Sequence, residues 1–213
     1  NGRSDRFCAM AHLYERTYGK AELLRRLGRL DQAAGVRLVT LGDGRERGVR
    51  VLEFRTGTGF CFEVLVDRAF DIGRCEHAGR PLAWTSGVGF SGPWYYEWED
   101  LGFFRTWGGG LLTTCGIDHA LFMAEDTAGQ YHYPPKQTER FPLHGRVSNQ
   151  PARLAGYGER WDGDECTLWA EGETLQAAVM GEHLLLRRRI EARVGESRLV
   201  VRDVVENVGL PFT

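Results

Sequence analysis

One stretch near the start of the chain repeats its apolar positions with the spacing of a helix. Leu23, Leu24, Leu27 and Leu30 follow this period. The arginines between them fall largely off the apolar stripe, as on an amphipathic surface helix. The pattern predicts a helix over residues 21–32, and a glycine three residues later marks its end.

Beyond this helix the apolar pattern changes to a period of two. Within residues 49–55, Val49 and Val51 fall on one face of an extended chain. Leu52 and Phe54 fall on the opposite face. Because side chains alternate along a strand, this pattern predicts a strand with apolar neighbours on both sides.

Further strands follow from the same reasoning. Residues 60–66 are apolar on nearly both faces, which is typical of a central strand. Residues 184–190 and 199–205 are also strand-like, and the glycine-containing segment 194–196 lies between them. This arrangement predicts an antiparallel hairpin.

The elements together predict an all-β protein with one short N-terminal helix. A parallel sheet would need crossover helices, and the pattern contains none. We therefore expect a large antiparallel β-sandwich that forms a single domain over residues 1–213, with residues 1–13 disordered or peripheral. The last predicted strand runs almost to the final residue, so we expect the sequence to be the N-terminal portion of a longer protein.

Composition narrows the class of protein further. Of 213 residues, 28 are Gly, which suits many tight turns between short strands. The 25 Arg and two Lys are balanced by 29 acidic residues, for a net charge of −2, so a nucleic-acid partner is not expected. No apolar run reaches the ~18 residues of a membrane span. Five scattered cysteines lack metal-site spacing and fit free thiols in the cytoplasm.

One segment matches the G-x-G-x-x-G dinucleotide-binding motif in sequence but not in the secondary structure predicted around it. Residues 87–92 read G-V-G-F-S-G, but a dinucleotide site requires a helix that opens at the last glycine. Pro93 and the aromatic run at 94–98 follow instead, and they do not favour a helix. We therefore expect no nucleotide cofactor, and indeed no cofactor of any kind.

Polar groups concentrate in three segments, of which the first is residues 67–73. Asp67, Arg68 and Asp71 emerge there from the end of the most apolar strand. Such a cluster can present hydrogen-bonding groups at the rim of a sheet. It can equally be a structural ion pair that holds the strand end.

The second segment, residues 104–119, contains three consecutive glycines after Trp107. Glycine permits a close backbone approach or a positive φ angle. Trp107 can offer a flat apolar face to a sugar ring or belong to the core, and Asp118 and His119 can contact a ligand or pair within a loop.

The third segment, residues 141–146, places His144 and Arg146 in a loop bracketed by proline and glycine. Histidine exchanges protons near neutral pH, and arginine offers a rigid fork of donors to hydroxyl or carboxylate oxygens. Aromatic, His, Arg and Asp side chains without a metal or phosphate motif suit a neutral, polyhydroxylated ligand.

Taken together, several segments resemble a bacterial family of aldose 1-epimerase-like proteins within the galactose mutarotase-like superfamily. The segments that carry the resemblance are residues 29–36 (RLDQAAGV), 67–73 (DRAFDIG), 81–84 (PLAW), 109–116 (GGLLTTCG), 143–146 (LHGR) and 203–209 (DVVENVG). The resemblance implies a twisted β-sandwich with a carbohydrate site in a cleft. It also implies cofactor-free interconversion of sugar anomers by an acid and a base, with a small-molecule sugar as partner.

The resemblance also assigns residues to this cleft. His144 matches the histidine that contacts the sugar in mutarotases, and Arg68 and Asp71 match the family's D-R-x-x-D-I-G segment. The candidate substrate-binding residues are thus His144, Arg146, Arg68, Asp71, Trp107 and His119. The catalytic acid and base are expected beyond Pro211, so no catalytic residue is assigned.

Three alternatives stay open at this point. The domain can bind carbohydrate without catalysis, since the acid and base lie outside the sequence. A metal-dependent isomerase would use His119, His132 and His144, although their loops lack ligand spacing. Exposed strand edges would also permit a homodimer.

Overall fold

The N-terminal part of the chain forms a small hairpin and one helix. In the computed structural model, β1 (Ala11–Leu13) pairs with β2 (Arg16–Tyr18), and α1 (Lys20–Arg26) follows. The structure describes residues 11–127, 137–179 and 181–209. Within this part of the chain, no helix has the length and apolar character needed to span a membrane.

Two predictions for this region need correction. The first hairpin strand is not peripheral, because Ala11 and Leu13 are each 1% exposed and belong to the core; residues 1–10 lie outside the described residues. The helix predicted over residues 21–32 is also shorter. The helix ends at Arg26, because the backbone of Leu27 is extended. A separate 3₁₀ turn, Leu30–Gln32, follows after Gly28.

The first large sheet has five antiparallel strands in sequence order. Its strands are β3 (Gly35–Thr40), β4 (Arg50–Arg55), β5 (Phe60–Leu65), β6 (Asp71–His77) and β7 (Arg80–Pro81). The alternation predicted for the second strand is confirmed: Leu52 and Phe54 join the main core, whereas Val51 packs with Phe90 on the opposite face.

Two short strand pairs and several 3₁₀ turns connect the large sheets. The pairs are β8 (Trp84–Thr85) with β9 (Gly109–Gly110), and β10 (Ala124–Thr127) with β11 (Thr138–Phe141). The remaining 3₁₀ turns are Gly44–Glu46, Pro93–Tyr95, Gly102–Arg105 and Val147–Asn149.

The second large sheet has four long antiparallel strands. These are β12 (Arg153–Asp162), β13 (Glu165–Ala177), β14 (His183–Arg193) and β15 (Leu199–Asn207). The predicted hairpin of the last two strands is confirmed, with Ile190 opposite Val201. Its outer face carries ion pairs such as Arg189 with Glu171 at 2.9 Å.

The two large sheets pack face to face around one core. Phe54 and Phe62 of the first sheet, whose rings stack at 4.5 Å, share this core with Leu168 and Ile190 of the second. Burial of these apolar faces is the main force that holds the layers together. The predicted all-β, antiparallel β-sandwich with one short N-terminal helix is thus confirmed.

Candidate functional site

The turn between β5 and β6 carries the first candidate arginine. Ala69 and Phe70 adopt φ angles of 50° and 62°, which are uncommon for residues with a Cβ atom. Asp67 anchors the start of the turn, because its carboxylate binds the backbone N–H of Arg50 at 2.7 Å and also the Arg50 guanidinium. The turn thereby directs the side chain of Arg68 into the interior.

The charged side chain of Arg68 is buried and has few hydrogen-bond partners. Only 3% of the residue is exposed, and its Nη1 donates to the carbonyl of Thr106 at 2.5 Å. This is the only hydrogen bond that its guanidinium makes within the described residues, and none of their carboxylates forms an ion pair with it. Burial accordingly lowers the pKa of Arg68, against the opposing charge of Asp71.

Asp71 belongs to an internal network. Its Oδ1 accepts from the backbone N–H of Thr114 at 2.8 Å, from the Thr114 hydroxyl and from Arg188 at 3.2 Å. Burial raises the pKa of Asp71 to about 6, although the Thr114 hydrogen bonds and the Arg188 charge act in the opposite direction. The structure therefore gives Asp71 a role in joining segments, and its contact with a ligand stays a prediction.

Arg188 is the residue that connects this network to the second sheet. It is 3% exposed and binds both oxygens of Asp203, at 2.8 and 2.7 Å. Its Nη1 also approaches the carbonyls of Ala69 and Phe70 at 3.4 and 3.5 Å. Burial opposes its charge, but the hydrogen bond to Asp203 and the charge of Asp71 raise the pKa of Arg188 above its ordinary value.

Trp107 is half-buried in a cluster of aromatic rings. It stacks on Phe103 at 5.8 Å and contacts Trp84 at 5.5 Å, and its Nε1 donates to Thr113 at 3.0 Å. The glycines after it allow a close backbone approach, as predicted, because a Cβ atom on Gly110 would meet the carbonyl of Ile72 at 2.5 Å.

His144 occupies a tight loop beside this cluster. Its φ angle is 63°, and its ring meets Phe103 edge-on at 5.1 Å. Its Nδ1 is buried and has no hydrogen-bond partner in the described part of the chain. Buried polar atoms are normally hydrogen-bonded, so this unpartnered nitrogen is an exception that calls for an explanation.

Arg146, two residues further on, is held by acidic side chains. Its guanidinium pairs with Asp118 at 2.8 Å and with Glu139 at 2.6 Å, and it lies over the ring of Phe141. His119 stacks on the same ring at 5.4 Å, and its Nε2 contacts the carbonyl of Phe122. Asp118 and His119 therefore shape the loop that carries Arg146.

Tyr96 lies near both candidate arginines, although sequence reasoning did not select it. Its hydroxyl is buried without a hydrogen-bond partner among the described residues. Burial raises its pKa, and the nearby charges of Arg146, Asp118 and Arg68 modify that shift in both directions. Tyr96 thus lies within electrostatic range of both candidate arginines.

The predicted site residues consequently lie in one region of the molecule. Arg68 binds the carbonyl of Thr106, and the adjacent Trp107 stacks on Phe103, which in turn contacts His144. Tyr96 lies within electrostatic range of both Arg68 and Arg146. His119 lies at the outer side of this region. Phe103, Tyr96 and Arg188 are the members that sequence reasoning missed.

The described residues contain no group of three or more His, Cys, Asp and Glu side chains that could hold a metal ion. His132, which belonged to the metal-dependent alternative, lies outside the described residues. The four cysteines that the structure describes, Cys61, Cys75, Cys115 and Cys166, are free thiols.

The chain resembles two solved structures. The chain matches a provisionally assigned aldose 1-epimerase from Klebsiella pneumoniae subsp. pneumoniae with a TM-score of 0.65 and 18% identity, over 84% of this chain and 46% of that one. It also matches a galactose 1-epimerase from Lactobacillus acidophilus with a TM-score of 0.39 and 12% identity, over 73% and 44%. The chain therefore has the fold of the Klebsiella pneumoniae structure, and it spans about half the length of these two proteins.

Sequence comparison gives a second finding. The profile of a protein family described as "Domain of unknown function (DUF4432)" matches residues 46–211. None of the curated proteins matches the chain.

Proposed function

The chain belongs to the DUF4432 family, and from this premise we propose that it binds a sugar in the site around Arg68 and His144 and interconverts sugar anomers as part of the complete protein. The fold of the matched aldose 1-epimerase structure supports the class of reaction. The site residues support the class of ligand.

The observation that carries the proposal is the state of Arg68. A guanidinium has five N–H donors, and Arg68 uses one of them within the described residues while 97% of its surface is withdrawn from solvent. Leaving charged donors unsatisfied in an interior is costly. Sugar hydroxyls would satisfy them, because each hydroxyl oxygen accepts hydrogen bonds without adding a charge.

Two further polar atoms point to the same class of ligand. The Nδ1 of His144 and the hydroxyl of Tyr96 are both buried and both lack a partner among the described residues. A hydroxyl-rich ring supplies donors as well as acceptors, so it can satisfy a nitrogen and a phenol at once.

The proposed reaction needs no cofactor. A base removes the proton of the anomeric hydroxyl while an acid protonates the ring oxygen, and the bond between C1 and the ring oxygen breaks. The open-chain aldehyde rotates about its C1–C2 bond and closes on the other face by the reverse proton transfers. In this scheme Arg68, Tyr96 and His144 bind and orient the sugar; each proton transfer contributes about 10²–10⁴-fold.

Exchange spectroscopy on anomer mixtures tests the proposal. The protein encoded by the complete gene is added to equilibrated aldoses, and the exchange rate between the α and β anomer signals is measured. We expect acceleration for at least one aldose that binds. Binding without acceleration of any bound aldose would reject the epimerase reaction and favour a non-catalytic carbohydrate-binding domain.

Replacement of His144 tests the site itself. We expect His144→Ala to weaken sugar binding about tenfold or more while the circular dichroism spectrum and the melting temperature stay close to those of the native protein. His77→Ala is the control, because this histidine is exposed at the opposite end of β6 from Asp71. An unfolded His144→Ala variant, or equal binding by both variants, would contradict the assignment.

A further inference from the structure

A cavity lies beside the side chains of His119 and Arg146. It has a volume of about 410 Å³ and lies between the β10–β11 hairpin and residues 98–100. This volume falls in the range of roughly 300–1,000 Å³ that is typical of small-molecule sites. We call it the outer cavity.

The outer cavity and the candidate site share a wall. The ring of Phe141 lines the cavity, and the same ring is contacted by the guanidinium of Arg146 at 5.5 Å and by the imidazole of His119 at 5.4 Å. Trp98, two residues after Tyr96, lines the cavity as well. The cavity therefore lies directly beside Arg146 and His119 of the candidate site.

The apolar part of the cavity wall is unusually exposed. Trp98 is 51% exposed and Met123 is 41% exposed, although both are large apolar side chains. Exposed apolar surface that borders a cavity is typical of a ligand-binding surface. The flat indole of Trp98 suits the C–H face of a pyranose ring.

The polar part of the wall is rich in carboxylates. Glu125 pairs with Arg140 at 2.6 Å. Glu99 and Asp100 also line the cavity, and neither has an ion-pair partner in residues 11–127, 137–179 or 181–209. Three carboxylates against one guanidinium repel phosphate and carboxylate groups, whereas carboxylates accept hydrogen bonds from hydroxyls readily.

We propose that the outer cavity holds a second, uncharged sugar ring, so that the ligand is a neutral reducing disaccharide or longer saccharide. Its reducing ring lies beside Arg68 and His144, and its next ring stacks on Trp98 while its hydroxyls bind Glu99 and Asp100. This inference rests on the proposed sugar-binding function and adds the size and charge of the ligand to it.

Titration calorimetry with the protein encoded by the complete gene tests this inference. D-glucose and D-galactose are compared with the disaccharides maltose and lactose. Both disaccharides have glucose as the reducing ring, and lactose has galactose as the terminal ring. We expect at least one disaccharide to bind about tenfold or more tightly than both monosaccharides. Trp98→Ala should abolish this difference without weakening monosaccharide binding, and Trp98→Phe should retain most of it.

The matched control is Trp94→Ala. Trp94 is 57% exposed, lies four residues before Trp98 and does not line the cavity, so the preference for the disaccharide should persist in this variant. Equal affinity for both sizes of sugar in the native protein, or equal effects of Trp98→Ala and Trp94→Ala, would overturn the outer-cavity inference alone. Absence of binding by all four sugars would overturn both this inference and the proposed function.

Discussion

At the scale of single residues, the most consequential contact is the one between Arg188 and Asp71. The two residues are 117 positions apart in the chain and come from different sheets. Each is buried, and each satisfies its charge mainly through the other, Thr114 and Asp203. A pair of this kind is costly to break because the remaining charge stays buried without compensation.

We therefore expect Arg188→Met to lower the free energy of unfolding by about 3–5 kcal/mol. Arg187→Met is the matched control, since Arg187 is the next residue but is half-exposed on the outer face, where it pairs with Glu173 and Glu206. Surface pairs of this kind contribute about 0–1 kcal/mol. Urea denaturation of the two variants measures the difference, and similar losses in both would contradict the assignment.

Asp71 should also leave a signature in the pH dependence of stability. Its pKa is raised from 3.8 to about 6 in the folded protein, so the folded state holds the proton more tightly than the unfolded state. Its contribution to stability is fully present below pH 3.8 and is lost as the pH rises through about 6. The loss is on the order of 3 kcal/mol.

Asp71→Asn removes this titration. The free energy of unfolding of the native protein should fall relative to that of the variant between about pH 4 and pH 7. Urea denaturation at several pH values measures both curves. Parallel curves over this interval would show that Asp71 has the same pKa in both states.

At the scale of elements, the turn between β5 and β6 depends on the strand it faces. Phe70 is fully buried, and its ring lies against Gly172 of β13. A Cβ atom on Gly172 would come within 2.5 Å of this ring. The absence of a side chain at this position therefore lets the turn, and Arg68 with it, pack against the second sheet.

Gly172→Ala should lower the free energy of unfolding by about 1–3 kcal/mol, because added volume in a packed core forces the surrounding atoms to shift. Gly42→Ala is the control, as a Cβ atom there would meet nothing within 4 Å. It should change stability by about 0.5 kcal/mol or less. Thermal melts of both variants test this, and an unchanged melt for Gly172→Ala would show that Phe70 moves freely.

At the scale of the whole molecule, the N-terminal hairpin closes one end of the sandwich. Leu13 contacts the backbone position of Gly57, in the turn between β4 and β5, and His12 lies against Gly195, in the turn between β14 and β15. The hairpin therefore contacts turns of both large sheets. Its loss should loosen the two layers together.

We expect Leu13→Ala to lower the free energy of unfolding by about 2–5 kcal/mol, as for other buried leucines. Far-ultraviolet circular dichroism and tryptophan fluorescence should still report one shared transition at a lower midpoint. Tyr14→Ala is the control, because Tyr14 is 70% exposed and should change stability little. Native-like stability of Leu13→Ala would instead support the prediction that residues 1–13 are peripheral.

Several features of the site were accessible from the sequence. Arg68, His144 and Arg146 stand in short polar segments between apolar strands, and the structure brings them into one region. A buried arginine in β14 could also have been predicted from the sequence. Side chains alternate between the two faces of a strand, so at least one of the three consecutive arginines at 187–189 must point inward. Tyr96 carried no such signal within its aromatic run.

The sequence by itself determined the local elements, since strand alternation and turn residues act over a few positions and predict the hairpin of β14 and β15 without knowledge of the rest. Only the tertiary structure decided which polar residues have hydrogen-bond partners and which do not. Arg188 forms an ion pair with Asp71, which is 117 residues away in the chain. Arg68 lies only three positions before Asp71, but its guanidinium has no carboxylate partner among the described residues. That distinction depends on the packing of two sheets, which periodicity along the chain does not encode.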